Sequence, residues 1–431
     1  MDRRQALQLV NRLSTGRNVI QGVGAFSCGR ERWVEAQVRG LEELAETDDA
    51  AVKFIKGVYG DGKTNLIARI REAALERGWV VSYVEVSDRV HLYEFEEVLG
   101  EIVRHCECAG MIADLDSEYD PPDMDGWRWI LDAWCAKMRE TAATGLPFGR
   151  GQTMVVGEKV QQMVAATVRR CSAYGDFASA VRAYVTAWLD RDTSTLDLIM
   201  RWFRADGLKL REHGILSPVT RRNAKDLLRN LVAFLRSLGY RGLVAFVDEV
   251  DRVLQYTPKR RQASYQLLRE LMDNVDGRHG LRGACIYFAI VPDLVDGSRG
   301  FAEHEGLASR LEQPPLPLPA GLVDYRSAMI DLSQTPLTAD DRMNIARRLR
   351  EIHAIARAWQ PSTVVSDEVL RRVVEMHGQR TYGRSSPRSL CKAVVAVLEG
   401  AEQYGSVPEA DQLQAIISSA SLEELRSQPT G

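Results

Sequence analysis

Eight consecutive residues, Gly57-Val58-Tyr59-Gly60-Asp61-Gly62-Lys63-Thr64, place three glycines, a lysine and a hydroxyl at the spacing G-x-x-x-x-G-K-T. Glycines at these points let the backbone bend until successive amide N–H groups face one anion, and a helix starting at the lysine adds the positive end of its dipole. Such a loop is expected to cradle the phosphates of ATP, with Lys63 meeting the β and γ phosphates and Asn65 extending the binding segment. The Thr64 hydroxyl is then placed to ligate Mg²⁺, an ion that keeps several waters and takes few protein oxygens. A second stretch, Leu243-Val244-Ala245-Phe246-Val247-Asp248-Glu249, is an apolar run ending in two adjacent carboxylates. Asp248 is expected to hold the Mg²⁺ through water, and Glu249 to orient or activate the water that attacks the γ-phosphate.

Those groups need a scaffold that brings strand ends together. Ala51-Val52-Lys53-Phe54-Ile55-Lys56 reads as a short buried strand feeding the glycine loop, 64–77 as the following amphipathic helix, and Trp79-Val80-Val81-Ser82-Tyr83-Val84-Glu85-Val86 as a second strand. This is the size of one right-handed crossover unit. Strand character returns at 243–247 and 284–291, so the fold class is α/β, a parallel-sheet core interrupted by a large helical insertion over about 98–240. Residues 1–50 read as helical, with Gly22-Val23-Gly24-Ala25 as a flexible joint. A proline cluster, Pro314-Pro315-Leu316-Pro317-Leu318-Pro319, precedes a strand-like Met329-Ile330-Asp331-Leu332 and helices at 337–358, 367–377 and 387–403. The expected division is therefore 1–50 as an N-terminal helical segment, 51–320 as the nucleotide-binding core with its insertion, and 321–431 as a C-terminal helical lid whose polar end, 418–431, frays.

The two motifs and the helical C-terminal domain resemble an AAA+ ATPase. Lys56-Gly57-Val58-Tyr59-Gly60-Asp61-Gly62-Lys63, Arg221-Arg222-Asn223-Ala224-Lys225-Asp226-Leu227-Leu228 leading into Leu238-Gly239-Tyr240-Arg241-Gly242-Leu243, and Asp248-Glu249-Val250-Asp251 are together similar to the ATP-binding protein family of bacterial BREX phage-exclusion systems. The resemblance implies ATP hydrolysis that remodels or gates a phage-defence complex on DNA. Its alternative is a nucleotide-dependent scaffold or switch that hydrolyses little and recruits a helicase or nuclease. It also implies an arginine reaching a neighbouring subunit's γ-phosphate, for which Arg310 in Gly306-Leu307-Ala308-Ser309-Arg310-Leu311 is the candidate, and hence self-association. Arg388 in Ser386-Pro387-Arg388-Ser389-Leu390 resembles the arginine by which a lid senses nucleotide. One departure stands out: where relatives carry a polar side chain beside the γ-phosphate, the strand ending Ile290-Val291-Pro292-Asp293 offers Val291, which points to slow hydrolysis.

Composition sets limits on partners. With 56 basic and 59 acidic residues the net charge is −3, so no global field draws the chain to nucleic acid or an anionic membrane. Contact with DNA must be local, and Lys259, Arg260 and Arg261, just past the acidic strand end, are the candidate. The N-terminus lacks the apolar run of a signal peptide or membrane span, and seven scattered cysteines suit a reducing compartment, so a cytoplasmic location is expected. Zinc at His105-Cys106-Glu107-Cys108 lacks further ligands at sensible spacing. Trp127 and Trp134 share one helix face and read as core rather than as a base-stacking platform.

Overall fold

The computed structural model describes residues 1–15, 22–111, 125–144, 152–171, 175–273, 280–311, 322–380 and 386–427. The proline cluster of the sequence reading, and with it the expected boundary at 320, lies outside the described residues. By its contacts the chain divides into two compact units, one of Met1–Val38, Ile55–Glu72 and Pro315–Gly431, the other of Arg39–Phe54 and Ala73–Pro314.

The second unit holds the sheet. Its strands are β1 (Ala50–Lys56, of which the first five residues fall here), β2 (Val80–Glu85), β3 (Cys106–Glu107), β4 (Leu243–Asp248) and β5 (Ala284–Ile290), in the order β3-β2-β4-β5-β1. β2 and β4 pair in parallel with Tyr83 opposite Phe246 and Glu85 opposite Asp248, and β4 and β5 pair in parallel with Val247 opposite Phe288. Every residue of β4 and β5 is buried, which is why both read as unbroken apolar runs rather than alternating ones. The two-residue β3 pairs antiparallel with β2 and is too short to leave a periodic signal.

Between β2 and β4 lies the helical insertion: α4 (Phe95–Arg104), α5 (Gly126–Ala143), α6 (Gln152–Cys171), α7 (Gly175–Asp190), α8 (Thr193–Phe203) and α9 (Ala224–Ser237). Its centre is a set of four fully buried rings. Trp127 meets Phe203 and Phe234 edge-on at 5.7 Å each, and Phe177 meets the same two at 5.9 and 5.8 Å, so one ring from each of α5, α7, α8 and α9 closes the core. Trp134 stands edge-on to Phe234 at 5.0 Å, the core role its helix spacing gives it. Buried carboxylates pin the irregular segments. Asp176 accepts from the Leu216 and Ser217 amides at 3.0 and 2.9 Å, and Asp125 caps α5 while paired with Arg204.

The first unit is mostly helical, with α1 (Arg3–Ser14), α13 (Ala339–Arg357), α14 (Asp367–Arg380), α15 (Pro387–Tyr404) and α16 (Ala410–Ser427) around one apolar core. Local sequence sets their ends: Asp2 with Gln5 and Thr338 with Asp341 form reciprocal capping boxes, while Ser386 caps α15 ahead of Pro387 and Gly405 ends it in a left-handed turn. One expectation is corrected. Gly22–Ala25 is a clamped turn rather than a joint, because the Glu72 carboxylate accepts from the Val23 and Gly24 amides at 3.1 and 3.2 Å. α16 runs as far as Ser427 with Leu413, Ile417 and Ala420 buried, and 428–431, the end of the stretch expected to fray, lie outside the described residues. In this unit β6 (Met329–Asp331) neighbours the end of β1, where Lys56 is 2.8 Å from Asp331.

All seven cysteines are buried free thiols, and burial raises those of Cys285 and Cys391 to about 11 and 12. Among the described residues no helix is long and apolar enough to cross a membrane.

Candidate functional site

The first unit contains the glycine loop. β1 ends at Lys56 and α3 (Lys63–Glu76) starts at Lys63, so the loop lies between a strand end and a helix N-terminus. Gly60 and Gly62 have φ of 83° and 90°, the left-handed region that favours glycine. Lys63 is buried to 9% exposure, and its Nζ donates to the Gly57 carbonyl at 2.9 Å and the Val58 carbonyl at 3.3 Å while lying 5.1 Å over the Tyr59 ring. An ammonium held at the loop's own carbonyls is placed to exchange them for phosphate oxygens. Asp61 would repel a triphosphate if it faced one, but its carboxylate accepts from the Val58 amide at 2.8 Å. Burial raises the Asp61 carboxyl above its ordinary range, against the lowering effects of that hydrogen bond and of Lys63. The curled backbone, the helix start and the lysine together fit the phosphates of a nucleotide. Thr64 and Asn65 follow in the first turn of α3.

Behind the loop, Asn65 accepts from the Ser27 hydroxyl at 2.6 Å, and Arg30, only 6% exposed, reaches the Thr335 hydroxyl at 2.8 Å and the Asp61 carbonyl at 3.5 Å. Burial lowers the Arg30 pKa, while Asp61 raises it. A cavity of about 30 Å³ opens here, lined among others by Phe26, Ser27, Asn65, Leu337, Pro387 and Cys391. That is room for a buried water and far too little for a nucleotide base. Arg30 and Ser27 were missed by sequence reasoning. An arginine at the start of an amphipathic helix reads as solvated, and nothing local signals its partner about 300 residues away. Arg388 is exposed at the first turn of α15, where its amide donates to the Ser386 hydroxyl.

The second unit contains the carboxylates. Asp248 ends β4 with 4% exposure; its Oδ1 accepts from the Glu249 amide at 2.8 Å and its Oδ2 from the Tyr83 hydroxyl at 2.9 Å. The same hydroxyl lies 3.1 Å from the Glu85 carboxylate. Burial first, then the two carboxylates, push the Tyr83 phenol far above its ordinary range, so it stays protonated. Glu249 has φ 58° and ψ 30°, a left-handed conformation that turns the chain from the strand into a short 3₁₀ helix, Val250–Gln255. At the end of β5, Val291 is 7% exposed and Asp293 is exposed in the first turn of α11 (Pro292–Asp296).

Arg310 sits on α12 (Glu305–Leu311), its guanidinium paired with Asp273 and donating to the Gly306 carbonyl. Of the basic trio at the start of α10 (Pro258–Asp273), Lys259 and Arg260 are exposed, and Arg260 stacks 5.2 Å over the Tyr93 ring. Arg261 is buried, donating to the Tyr256 carbonyl at 3.2 Å and to Glu303 at 3.4 Å. Its charge is engaged inside the fold, which leaves Lys259 and Arg260 as the accessible cations of the three.

Residues 1–416 match the family described as BREX system ATP-binding protein BrxC/D. No curated protein matches the chain. A solved structure of the ORC2 protein of Aeropyrum pernix, in ADPNP-ADP complexes, is similar at 17% identity and a TM-score of 0.45, over 93% of this chain and 71% of that one. As that match takes in nearly the whole of this chain, the chain belongs to the BREX system ATP-binding proteins.

Proposed function

We propose that this member of the BREX ATP-binding family is a Mg²⁺-dependent AAA+ ATPase of the cytoplasm that couples ATP binding and hydrolysis to remodelling or gating a phage-defence complex on DNA. The observation that carries it is the glycine loop, curled at Gly60 and Gly62 with Lys63 turned onto its carbonyls at the start of a helix. The backbone amides of 57–64 and Lys63 bind the phosphates. Thr64 and, through water, Asp248 are the residues that would hold a magnesium ion, which would supply charge neutralisation to the phosphates. Glu249 accepts a proton from the attacking water as its oxygen bonds to the γ-phosphorus and the bond to the β-phosphate oxygen breaks, leaving ADP and phosphate.

In this reading Arg310 exchanges Asp273 for the γ-phosphate of a neighbouring subunit, Arg388 reports nucleotide state to the lid helix, and Lys259 and Arg260 meet DNA phosphates. Steady-state turnover tests it. Lys63→Ala is expected to abolish ATP binding, Glu249→Gln to leave binding but cut turnover about 10²-fold or more, and Arg310→Ala to remove the part of turnover that rises faster than linearly with protein concentration. Wild-type protein that binds no ATP in Mg²⁺ would overturn the reading.

A second reading, a slow nucleotide switch that recruits a helicase or nuclease, is favoured by Val291, whose side chain has no polar atom to offer a γ-phosphate. Long-lived bound ATP, indifferent to Glu249→Gln, would select it.

A further inference from the structure

The Tyr83 hydroxyl has one proton and two carboxylates within reach, Asp248 at 2.9 Å and Glu85 at 3.1 Å. Strand pairing sets this up. β2 and β4 run parallel with Tyr83 opposite Phe246 and Glu85 opposite Asp248, so residues 83 and 85 share one face of the sheet with 246 and 248. Asp248 is buried, while Glu85 is exposed at the strand end. The other oxygen of Asp248 is fixed by the Glu249 amide at 2.8 Å, so with Tyr83 bonded the carboxylate is oriented at both oxygens. A hydroxyl that bonds a metal-binding carboxylate from behind sets the angle at which that carboxylate meets the ion's water shell.

We propose that Tyr83 is a positioning residue for Asp248, orienting it toward a divalent cation, and that Glu85 is the competing acceptor that draws the same proton away. This rests on reading Asp248 as the Mg²⁺ carboxylate. When the hydroxyl donates to Asp248 the carboxylate is held in place; when it donates to Glu85 that restraint is released.

The test is equilibrium binding of a fluorescent ATP analogue to the full chain, titrated with Mg²⁺ from an EDTA baseline, beside thermal melting of each variant. Tyr83→Phe is expected to raise the half-saturating Mg²⁺ concentration about 10- to 100-fold, the usual loss for an outer-shell partner, with metal-free nucleotide affinity unchanged. Glu85→Gln, whose amide can donate to the phenol oxygen, is expected to shift the midpoint the opposite way, and the double variant to behave as Tyr83→Phe. A wild-type midpoint in Tyr83→Phe, or a Glu85→Gln shift in the same direction as Tyr83→Phe, overturns the proposal. Asp248→Asn separates the two levels: if it too leaves the midpoint unchanged, the assignment of Asp248 fails first, whereas a shift in Asp248→Asn without one in Tyr83→Phe removes Tyr83 alone.

Discussion

Glu249 holds a backbone conformation that residues other than glycine avoid, because Cβ crowds the following carbonyl at a cost of about 1–2 kcal/mol. Strain kept at a carboxylate in the proposed water-activating position is the pattern expected when function and stability pull apart. Glu249→Gly is therefore expected to raise the unfolding free energy by about 1 kcal/mol while abolishing turnover, read by denaturant titration beside an ATPase assay. A drop in stability would mean that the Glu249 side chain contributes more to the fold than its backbone withholds. At this scale the glycine loop was legible because its whole pattern lies within eight residues and each residue type has one physical reason to be there. Tyr83 was not, since a tyrosine in an apolar strand reads as core and its carboxylate partner lies 165 residues away.

Elements were legible where periodicity was long. The strands around the glycine loop and the acidic pair emerged within a residue or two, as did α13 and α15, whose capping residues are local. What escaped was set by contact rather than by pattern: the two-residue β3, and the turn at Val23 clamped by Glu72. Gly126 shows how such contacts constrain sequence. It opens α5, and a Cβ there would lie 1.7 Å from the Cys106 carbonyl oxygen of β3. Backbone cannot yield as a flexible side chain can, so Gly126→Ala is expected to destabilise the protein by about 1–3 kcal/mol, seen as a lower midpoint in chemical denaturation. An unchanged midpoint would mean that the helix start can slide off the edge strand without loss.

For the whole molecule, acid should be a specific weakness. His377 is fully buried, its ring nitrogen 2.8 Å from the Ser389 hydroxyl, and burial with the nearby Arg342 lowers its pKa to about 4. The unfolded chain takes up that proton near pH 6.5 and the folded chain only near 4, so stability is whole above about 6.5 and declines as pH falls toward 4. His353, also lowered by burial, acts in the same direction. The melting temperature is expected to fall between pH 7 and pH 5, and His377→Gln to flatten that fall. An equally steep fall in the variant would place the acid sensitivity elsewhere.

The separation of β2 from β4 also fixes an order of events at the ribosome. β2 leaves the exit tunnel first, and the strand carrying Asp248, 165 residues past its partner Tyr83, follows roughly 10–30 s later at ordinary elongation rates. During that interval β2 has no β4 beside it, and Trp127, Phe177 and Phe203 emerge well before Phe234 completes their ring set just ahead of β4. The nascent chain should thus present an open sheet edge beside a helical core still lacking its last ring, and that stage of synthesis is where a chaperone would find most to hold.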